Sequence, residues 1–250
     1  MEHKKSEALI LRTIDYGESD LIVTFFSTRF GTLKGVAKGA RRSSRRFVNS
    51  LNIFSLVNVE FTEKKKIDLV WLDSCELIDS FPGVSSEYNL LSKASYMIEA
   101  TEALFPLNMP STEMFRLLKN ALTLISDKQY IKEIITIFQA RAMKISGFAI
   151  NLTRCGKCGR SYKGKGRALF CTEKGSILCM ACEKETALLL GMEPETVRTL
   201  KQIQLSDPPY PSIPAFSEET FMELKKVLIA HTEYHIGKKL KSARYLNTNI

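Results

Sequence analysis

Hydrophobic and polar residues alternate in short runs over the first 80 residues, which is the pattern of β-strands. Each run is rich in β-branched and aromatic residues and ends at a polar or glycine-containing turn. Five short strands in this length predict a small closed or partly open barrel, since a sandwich usually needs about seven strands. The predicted strands span residues 8–14, 21–26, 32–37, 54–61 and 67–72.

Apolar residues recur every three or four positions after residue 81, which is the spacing of amphipathic helices. Ser111 precedes one of these stripes and can cap its helix. Two stretches interrupt the pattern: residues 151–182 are rich in cysteine, glycine and lysine, and residues 208–214 are rich in proline. The predicted helices span about residues 90–104, 112–125, 131–145, 194–204 and 217–236.

These elements predict an α+β fold, in which an N-terminal five-stranded β-barrel is followed by a helical domain with a cysteine-rich insertion. A chain of 250 residues is long enough for two or three small domains. We place the barrel in residues 1–80, and the two parts of the helical domain in residues 81–150 and 193–250. The insertion between those two parts spans residues 151–192.

The composition, with 44% hydrophobic and 25% charged residues, is that of a globular protein and excludes disordered and collagen-like classes. No apolar run approaches the roughly 18 residues needed to cross a bilayer. The N-terminal residues also lack the apolar block of a signal peptide, so we expect a soluble, cytoplasmic protein. Its formal net charge of +9 favours polyanionic partners.

The positive charge is concentrated in two parts of the chain. Residues 151–192 hold eight basic and three acidic residues, and no acidic residue occurs between Asp20 and Glu60, where seven basic residues lie. Two Arg-Arg pairs in that second stretch form a flexible guanidinium cluster that can bind phosphate oxygens bidentately. A solvated loop is the alternative, and we expect the nearby phenylalanines to fill the barrel core. The predicted DNA contacts are Lys34, Lys38, Arg41, Arg42, Arg45 and Arg46.

Five of the six cysteines fall within 28 residues, and four of them form two CxxC pairs separated by 20 residues. This spacing is typical of a zinc site, because two intervening residues let both thiolates of a pair reach one ion. Four protein ligands leave no open coordination position, so we expect one structural Zn2+. Free cysteines or a redox pair are the alternatives. The predicted ligands are Cys155, Cys158, Cys179 and Cys182.

Two cysteines remain outside this set. Cys171 has no second cysteine two residues away, which disfavours it as a ligand. Cys75 lies in a strand-like segment and is expected to be a small buried residue. The negative charge of a four-thiolate site would be offset by nearby basic residues, namely Lys157, Arg160, Lys163, Lys165 and Arg167.

The sequence contains no catalytic signature, so we expect no enzyme activity. Phosphate-binding glycine loops, a nucleophile elbow and the HExxH zinc motif are all absent. His231 and His235 lie four residues apart on the last predicted helix, where we expect a solvated face. One alternative is a zinc-ribbon enzyme that acts on nucleic acid, such as a nuclease or an RNA-modifying enzyme. Such an enzyme would need a carboxylate cluster or a nucleotide-binding loop. The second alternative is a structural adaptor protein with a basic loop.

The sequence resembles the bacterial RecO family of recombination mediators over essentially its whole length. The segment Ala-Lys-Gly-Ala-Arg at residues 37–41 is the most specific part, and Leu-Lys-Ser at residues 240–242 is less specific. Some members lack the cysteines, so the zinc prediction rests on the residues of this chain. The segments that carry the resemblance are residues 17–20, 36–42, 51–56, 146–152 and 240–246.

The resemblance implies an oligonucleotide/oligosaccharide-binding (OB) barrel followed by a helical domain with a zinc-ribbon-like insertion. It implies a non-enzymatic, nucleoid-associated bacterial protein that binds single- and double-stranded DNA and anneals complementary strands. It also implies RecR as a partner, with which such proteins help to load RecA onto DNA coated by single-strand-binding protein.

The resemblance further implies recognition of the C-terminal tail of single-strand-binding protein, which is acidic and ends in apolar residues. Such a tail needs an apolar groove with a cation at its rim to bind the terminal carboxylate. The predicted helix over residues 131–145 offers both, and Arg141 is the preferred rim cation because a guanidinium binds both carboxylate oxygens. Plain helix packing is the alternative. The residues assigned to this groove are Phe138, Arg141 and Lys144.

Overall fold

The computed structural model describes residues 2–63, 69–182, 189–206 and 215–247, so the predicted proline-rich loop at 208–214 lies outside the described residues. Five strands come first, and three short strands lie between the third and fourth of the helices that follow. The strands are β1 (Glu2–Tyr16), β2 (Asp20–Ser27), β3 (Gly31–Ala37), β4 (Leu56–Glu63), β5 (Val70–Asp79), β6 (Ala168–Cys171), β7 (Ser176–Leu178) and β8 (Leu190–Met192). The α-helices are α1 (Tyr88–Leu104), α2 (Thr112–Ser126), α3 (Ile131–Ile145), α4 (Pro194–Leu205) and α5 (Glu218–Ile236).

The first five strands form a closed barrel of order β1-β2-β3-β5-β4, in which β4 pairs again with β1. Neighbouring strands are antiparallel except β3 and β5, which pair in parallel at Gly35 and Val36. This is the five-stranded arrangement of an OB-type barrel. The predicted α+β fold with an N-terminal barrel is therefore confirmed.

Strand β1 closes the barrel because it is long enough to pair with two neighbours, first with β4 and then with β2. A bulge between Ile10 and Arg12 lies close to the point where the partner changes. The sequence pattern predicts this strand only over residues 8–14, and it predicts that the fifth strand ends at residue 72 rather than at Asp79. The missed ends carry charged side chains, which interrupt the apolar alternation.

The barrel interior is packed closely enough to require a glycine. A Cβ at Gly35 would lie 1.9 Å from the Cδ1 atom of Leu72, so the absence of a side chain lets β3 approach β5. Phe25 and Phe61 meet edge to face in this interior, with ring centroids 5.9 Å apart. Cys75 is buried as predicted, and burial raises the pKa of its thiol to about 12.

A second core joins the barrel to the helical domain. Leu9, Leu56 and Phe26 belong to this core together with residues of α1, α2 and α3. The Phe26 ring lies 6.0 Å from that of Phe105 and 6.2 Å from that of Phe115. Because one core spans the predicted boundary at residue 80, the two segments pack as one body, and the domain boundaries themselves stay predictions.

The predicted helices are confirmed to within about two residues. Helix α2 begins after Ser111, whose hydroxyl accepts a hydrogen bond of 3.2 Å from the backbone N–H of Met114. Helix α3 ends before Gly147, which takes a φ of 88°. Among the described residues, no helix combines the length and the hydropathy that a bilayer-spanning segment needs.

The cysteine-rich insertion contains a three-stranded antiparallel sheet of order β7-β6-β8, which the sequence analysis did not predict. Side chains alternate along a strand, so β6 contributes to two cores. Ala168 and Phe170 pack with residues of α3, α4 and α5, whereas Leu169 packs with Cys155 and Leu178. One face of the sheet is thus docked on the helices, and the other covers the cysteines.

Candidate nucleic-acid surface and metal centre

A basic loop, residues 38–55, connects β3 to β4 and carries most of the cations predicted to contact DNA. Lys34 lies just before this loop, on β3. All of these side chains are exposed, so the structure leaves them accessible to a ligand. The exposed cations are Lys34, Lys38, Arg41, Arg42, Arg45 and Arg46.

Hydrogen bonds anchor the backbone of the basic loop to neighbouring barrel strands. Gly39 takes a φ of 66° and donates its N–H to the Asp20 carboxylate at 2.8 Å. The Arg46 carbonyl accepts a bond of 2.8 Å from the N–H of Cys75 on β5. The Arg46 guanidinium in turn donates to the carbonyl of Lys38 at 2.7 Å. The cations therefore extend from a fixed backbone.

The remaining arginines of the basic loop are available to a ligand. Arg41 lies 3.4 Å from the Asp15 carboxylate, but both side chains are largely exposed, and such ion pairs contribute little. A phosphate can therefore replace this contact. Arg42 and Arg45 form no ion pair or side-chain hydrogen bond with any residue in the described part of the chain.

An aromatic ring that the sequence pattern does not predict lies beside these cations. Trp71 on β5 is half-buried, and the Nζ atom of Lys38 lies 4.4 Å from its ring centroid. A half-buried ring next to a lysine can stack on a base while the lysine binds the phosphate. Only the parallel pairing of β5 with β3 brings these side chains together. Phe25 and Phe47 are buried in the barrel core as predicted, whereas Phe26 is buried in the core shared with the helical domain.

The cysteines predicted to bind metal converge on one point. Their Sγ atoms all lie within 4.8 Å of one another, and the two sulfurs of Cys158 and Cys179 are 3.8 Å apart. Tetrahedral coordination with Zn–S bonds of about 2.3 Å requires sulfur–sulfur distances of about 3.8 Å. The cluster can therefore hold a metal ion, and Cys171 is not part of it. The converging residues are Cys155, Cys158, Cys179 and Cys182.

The protonation of the cluster also fits a bound cation. Burial opposes the charged form of Cys155, but backbone N–H groups of Cys158, Cys179 and Lys157 outweigh it and lower the pKa of this thiol to about 6. The neighbouring thiols of Cys158 and Cys179 raise the pKa of Cys182 to about 12. A cation bound between the sulfurs would favour loss of the proton from Cys182.

Two glycines shape the turn around the first CxxC pair. Gly159 takes a φ of 71°, which other residues rarely adopt. A Cβ at Gly156 would lie 2.1 Å from the Oγ atom of Ser176, so only glycine fits against the start of β7. This close approach lets the N–H of Cys179 point at the sulfur of Cys155, at 3.4 Å.

The prediction of a solvated face for the two histidines of α5 is wrong. His231 is only 1% exposed, its Nε2 atom lies 2.8 Å from the carbonyl oxygen of Phe148, and its ring meets Phe170 edge to face. His235 stacks on Phe148 with ring centroids 4.1 Å apart. Burial lowers the pKa of both imidazoles. The sheet of the insertion covers this face of α5, which helical spacing alone does not reveal.

The groove predicted on α3 is not open at the surface. Helix α3 packs against the other four helices. As a result, Phe138 is fully buried, Arg141 is 2% exposed and Lys144 is half-buried. The predicted position of Arg141 at an exposed rim is therefore wrong. Its Nε atom has no hydrogen-bond partner among the described residues.

A closed OB-type barrel joined to a helical domain with a four-cysteine cluster defines an OB-fold protein with a zinc-ribbon-like module. Comparison with known protein families gives a more specific assignment. Residues 1–81 match the profile described as "Recombination protein O N terminal", and residues 85–244 match that described as "Recombination protein O C terminal". The chain belongs to the RecO family of DNA repair and recombination proteins.

Full-length relatives support this assignment. The DNA repair protein RecO of Syntrophus aciditrophicus (strain SB) is 32% identical over 97% of this chain and 95% of its own length. That of Syntrophobacter fumaroxidans (strain DSM 10017 / MPOB) is 32% identical over 98% of both chains. That of Syntrophotalea carbinolica (strain DSM 2380 / NBRC 103641 / GraBd1) is 35% identical over 73% of this chain and 70% of its own. The predicted family is therefore confirmed.

Proposed function

We propose that the protein is a non-enzymatic, cytoplasmic and nucleoid-associated recombination mediator that binds single- and double-stranded DNA and anneals complementary strands. The observation that carries this proposal is the basic loop, whose exposed cations extend from a fixed backbone on an OB-type barrel. OB-type barrels bind oligonucleotides in many unrelated proteins. Membership of a DNA repair family supports the same function.

The proposed DNA contacts are mainly to phosphates. Guanidinium and ammonium groups that bind the backbone read no base sequence, so we expect affinity to depend on salt and little on sequence. Trp71 adds a ring on which an unpaired base can stack, next to Lys38. The proposed phosphate contacts are Lys34, Lys38, Arg41, Arg42, Arg45 and Arg46.

Annealing follows from the same charge distribution. Two complementary strands repel each other through their phosphates, and a protein that neutralises phosphates on a strand lowers this repulsion. Contacts to phosphates leave the Watson–Crick edges of the bases free to pair. The basic loop can therefore hold a strand without competing with the incoming partner strand.

The proposed metal is one structural Zn2+. A tetrahedral site of four thiolates is characteristic of zinc, and it leaves no open position for a reacting ligand. Bound there, the ion would hold the two CxxC turns together and keep the insertion folded against the helices. The proposed ligands are Cys155, Cys158, Cys179 and Cys182.

The proposed protein partners are RecR and the C-terminal tail of single-strand-binding protein, with which the protein would help to load RecA onto coated DNA. Family membership is the support for both partners. Because Phe138 and Arg141 are buried, we do not retain the sequence-based location of the tail groove.

The experiment that tests DNA binding replaces Arg41 and Arg42 by alanine and measures fluorescence anisotropy of labelled oligonucleotides at several salt concentrations. We expect affinity to fall uniformly across sequences, and the slope of log K against log salt to become shallower by about 0.7 per lost contact on single strands. Arg116→Ala is the control, since it removes an exposed arginine of α2. An unchanged slope in the double variant would identify the basic loop as merely solvated.

A further inference from the structure

A basic cleft lies on the cysteine-rich insertion, away from the basic loop that forms the proposed DNA surface. This module cleft encloses about 490 Å³. Its lining includes four cations and the apolar residues Ile177, Leu178 and Met180, the last of which is 51% exposed. The cations of the module cleft are Arg160, Lys163, Lys165 and Arg167.

The positive charge of the insertion is larger than the negative charge of a four-thiolate metal site. Residues 151–192 include eight basic and three acidic residues. A dication with four thiolates contributes two negative charges, so three positive charges remain after the site is neutralised. This excess attracts a polyanion.

Among the described residues, three of the four cleft cations have no acidic partner. Arg167 lies 3.7 Å from the Glu193 carboxylate and 3.8 Å from that of Glu223, so it already has partners. The other three are exposed, and none forms an ion pair within the described part of the chain. Those unpaired cations are Arg160, Lys163 and Lys165.

The backbone presents the two lysines of the cleft on a defined turn. Gly164 and Gly166, which alternate with them, both take a φ of 72°. The hydroxyl of Tyr162 donates a hydrogen bond of 2.8 Å to the Gly166 carbonyl and closes this turn. A fixed turn loses less conformational entropy on binding than a flexible loop does.

Backbone hydrogen bonds also connect the cleft directly to the metal site. The Arg160 carbonyl accepts a hydrogen bond of 2.9 Å from the N–H of Cys155, and the Tyr162 N–H donates one of 2.8 Å to Thr153. The cleft wall therefore continues directly from the first CxxC turn.

We propose that the module cleft is a second binding site for single-stranded DNA, an inference that rests on the DNA-binding function proposed above. Arg160, Lys163 and Lys165 contact backbone phosphates there, and the exposed thioether of Met180 contacts a base. A nucleic acid strand supplies one charge per nucleotide, which suits several exposed cations around an open cleft. Two separate sites would let one molecule hold two strands at once, which would favour their annealing.

The test uses the full-length, metal-loaded protein with Lys163→Ala and Lys165→Ala combined. We expect the salt slope for single-stranded DNA to become shallower by about 1.4, which is the loss of two contacts. The matched control combines Lys174→Ala, on an exposed turn of the same module outside the cleft, with Lys201→Ala on α4. This control removes the same charge and should leave the slope nearly unchanged. Metal content and thermal midpoint confirm that both variants are folded.

Four outcomes would overturn the inference. If the cleft and control variants have equal salt slopes for single-stranded DNA, the cleft lysines act only through the general positive charge of the protein. A cleft variant that loses affinity for an acidic peptide but not for DNA would assign the cleft to a peptide. If the wild-type protein binds no DNA, both this inference and the proposed function fail. If the Arg41/Arg42 variant changes the slope and the cleft variant does not, only the inference fails.

Discussion

Loss of the metal is the sharpest perturbation of the insertion, because the face of its sheet that covers the cysteines has a very small core. Among the described residues, Leu169 and Leu178 are the fully apolar side chains buried beside Cys155. Burying a leucine contributes about 1.5–3 kcal/mol. A structural zinc in a small fold contributes about 10–16 kcal/mol. The metal should therefore dominate the stability of this face, and we expect Cys179→Ser to release it and to unfold the CxxC turns.

The opposite face of the sheet limits how far this unfolding spreads. Phe170 and Ile177 pack with residues of α3, α4 and α5, independently of the cysteines. Hydrogen exchange should therefore rise around both CxxC turns in Cys179→Ser, while the barrel strands keep their protection. Cys171→Ser is the control and should retain both metal and protection. Stoichiometric metal in a Cys155→Ser/Cys158→Ser variant, measured by mass spectrometry of the eluted ion, would refute the four-ligand site.

Two further predictions concern stability. Gly35→Ala should lower the urea midpoint, because its Cβ would meet Leu72 at 1.9 Å and overpacking costs about 1–3 kcal/mol; an unchanged midpoint would refute this. Burial lowers the pKa of His231, so the unfolded chain takes up a proton more readily than the folded chain. Stability should thus be full above pH 6.5 and fall below it. His231→Gln should reduce this pH dependence, and equal dependence in both proteins would contradict it.

Local patterns were sufficient to predict the barrel strands and the helices, but not the three short strands of the insertion. The barrel strands and the helices each follow from a hydrophobic period that lies within one segment, and Ser111 marks the start of α2 directly. The metal cluster was predictable for a similar reason. The two CxxC pairs identify all four ligands in the sequence, and the fold then brings their sulfur atoms together.

Features that depend on distant segments were not predictable from the sequence. Trp71 joins the basic loop only because β5 pairs in parallel with β3, across more than thirty residues of chain. His231 and Arg141 have polar side chains at helical positions that a sequence alone assigns to solvent. Their burial results from the insertion sheet covering α5 and from four helices surrounding α3.

The most direct test of the account is a salt titration of single-stranded DNA binding by the full-length protein, with strand annealing measured in the same samples. Six phosphate contacts on the barrel predict a slope of log K against log salt of about −4, and contacts in the module cleft make it steeper. Annealing should weaken over the same range of salt as binding does. A slope near zero, or strong binding with no annealing at any salt concentration, would contradict the mediator function.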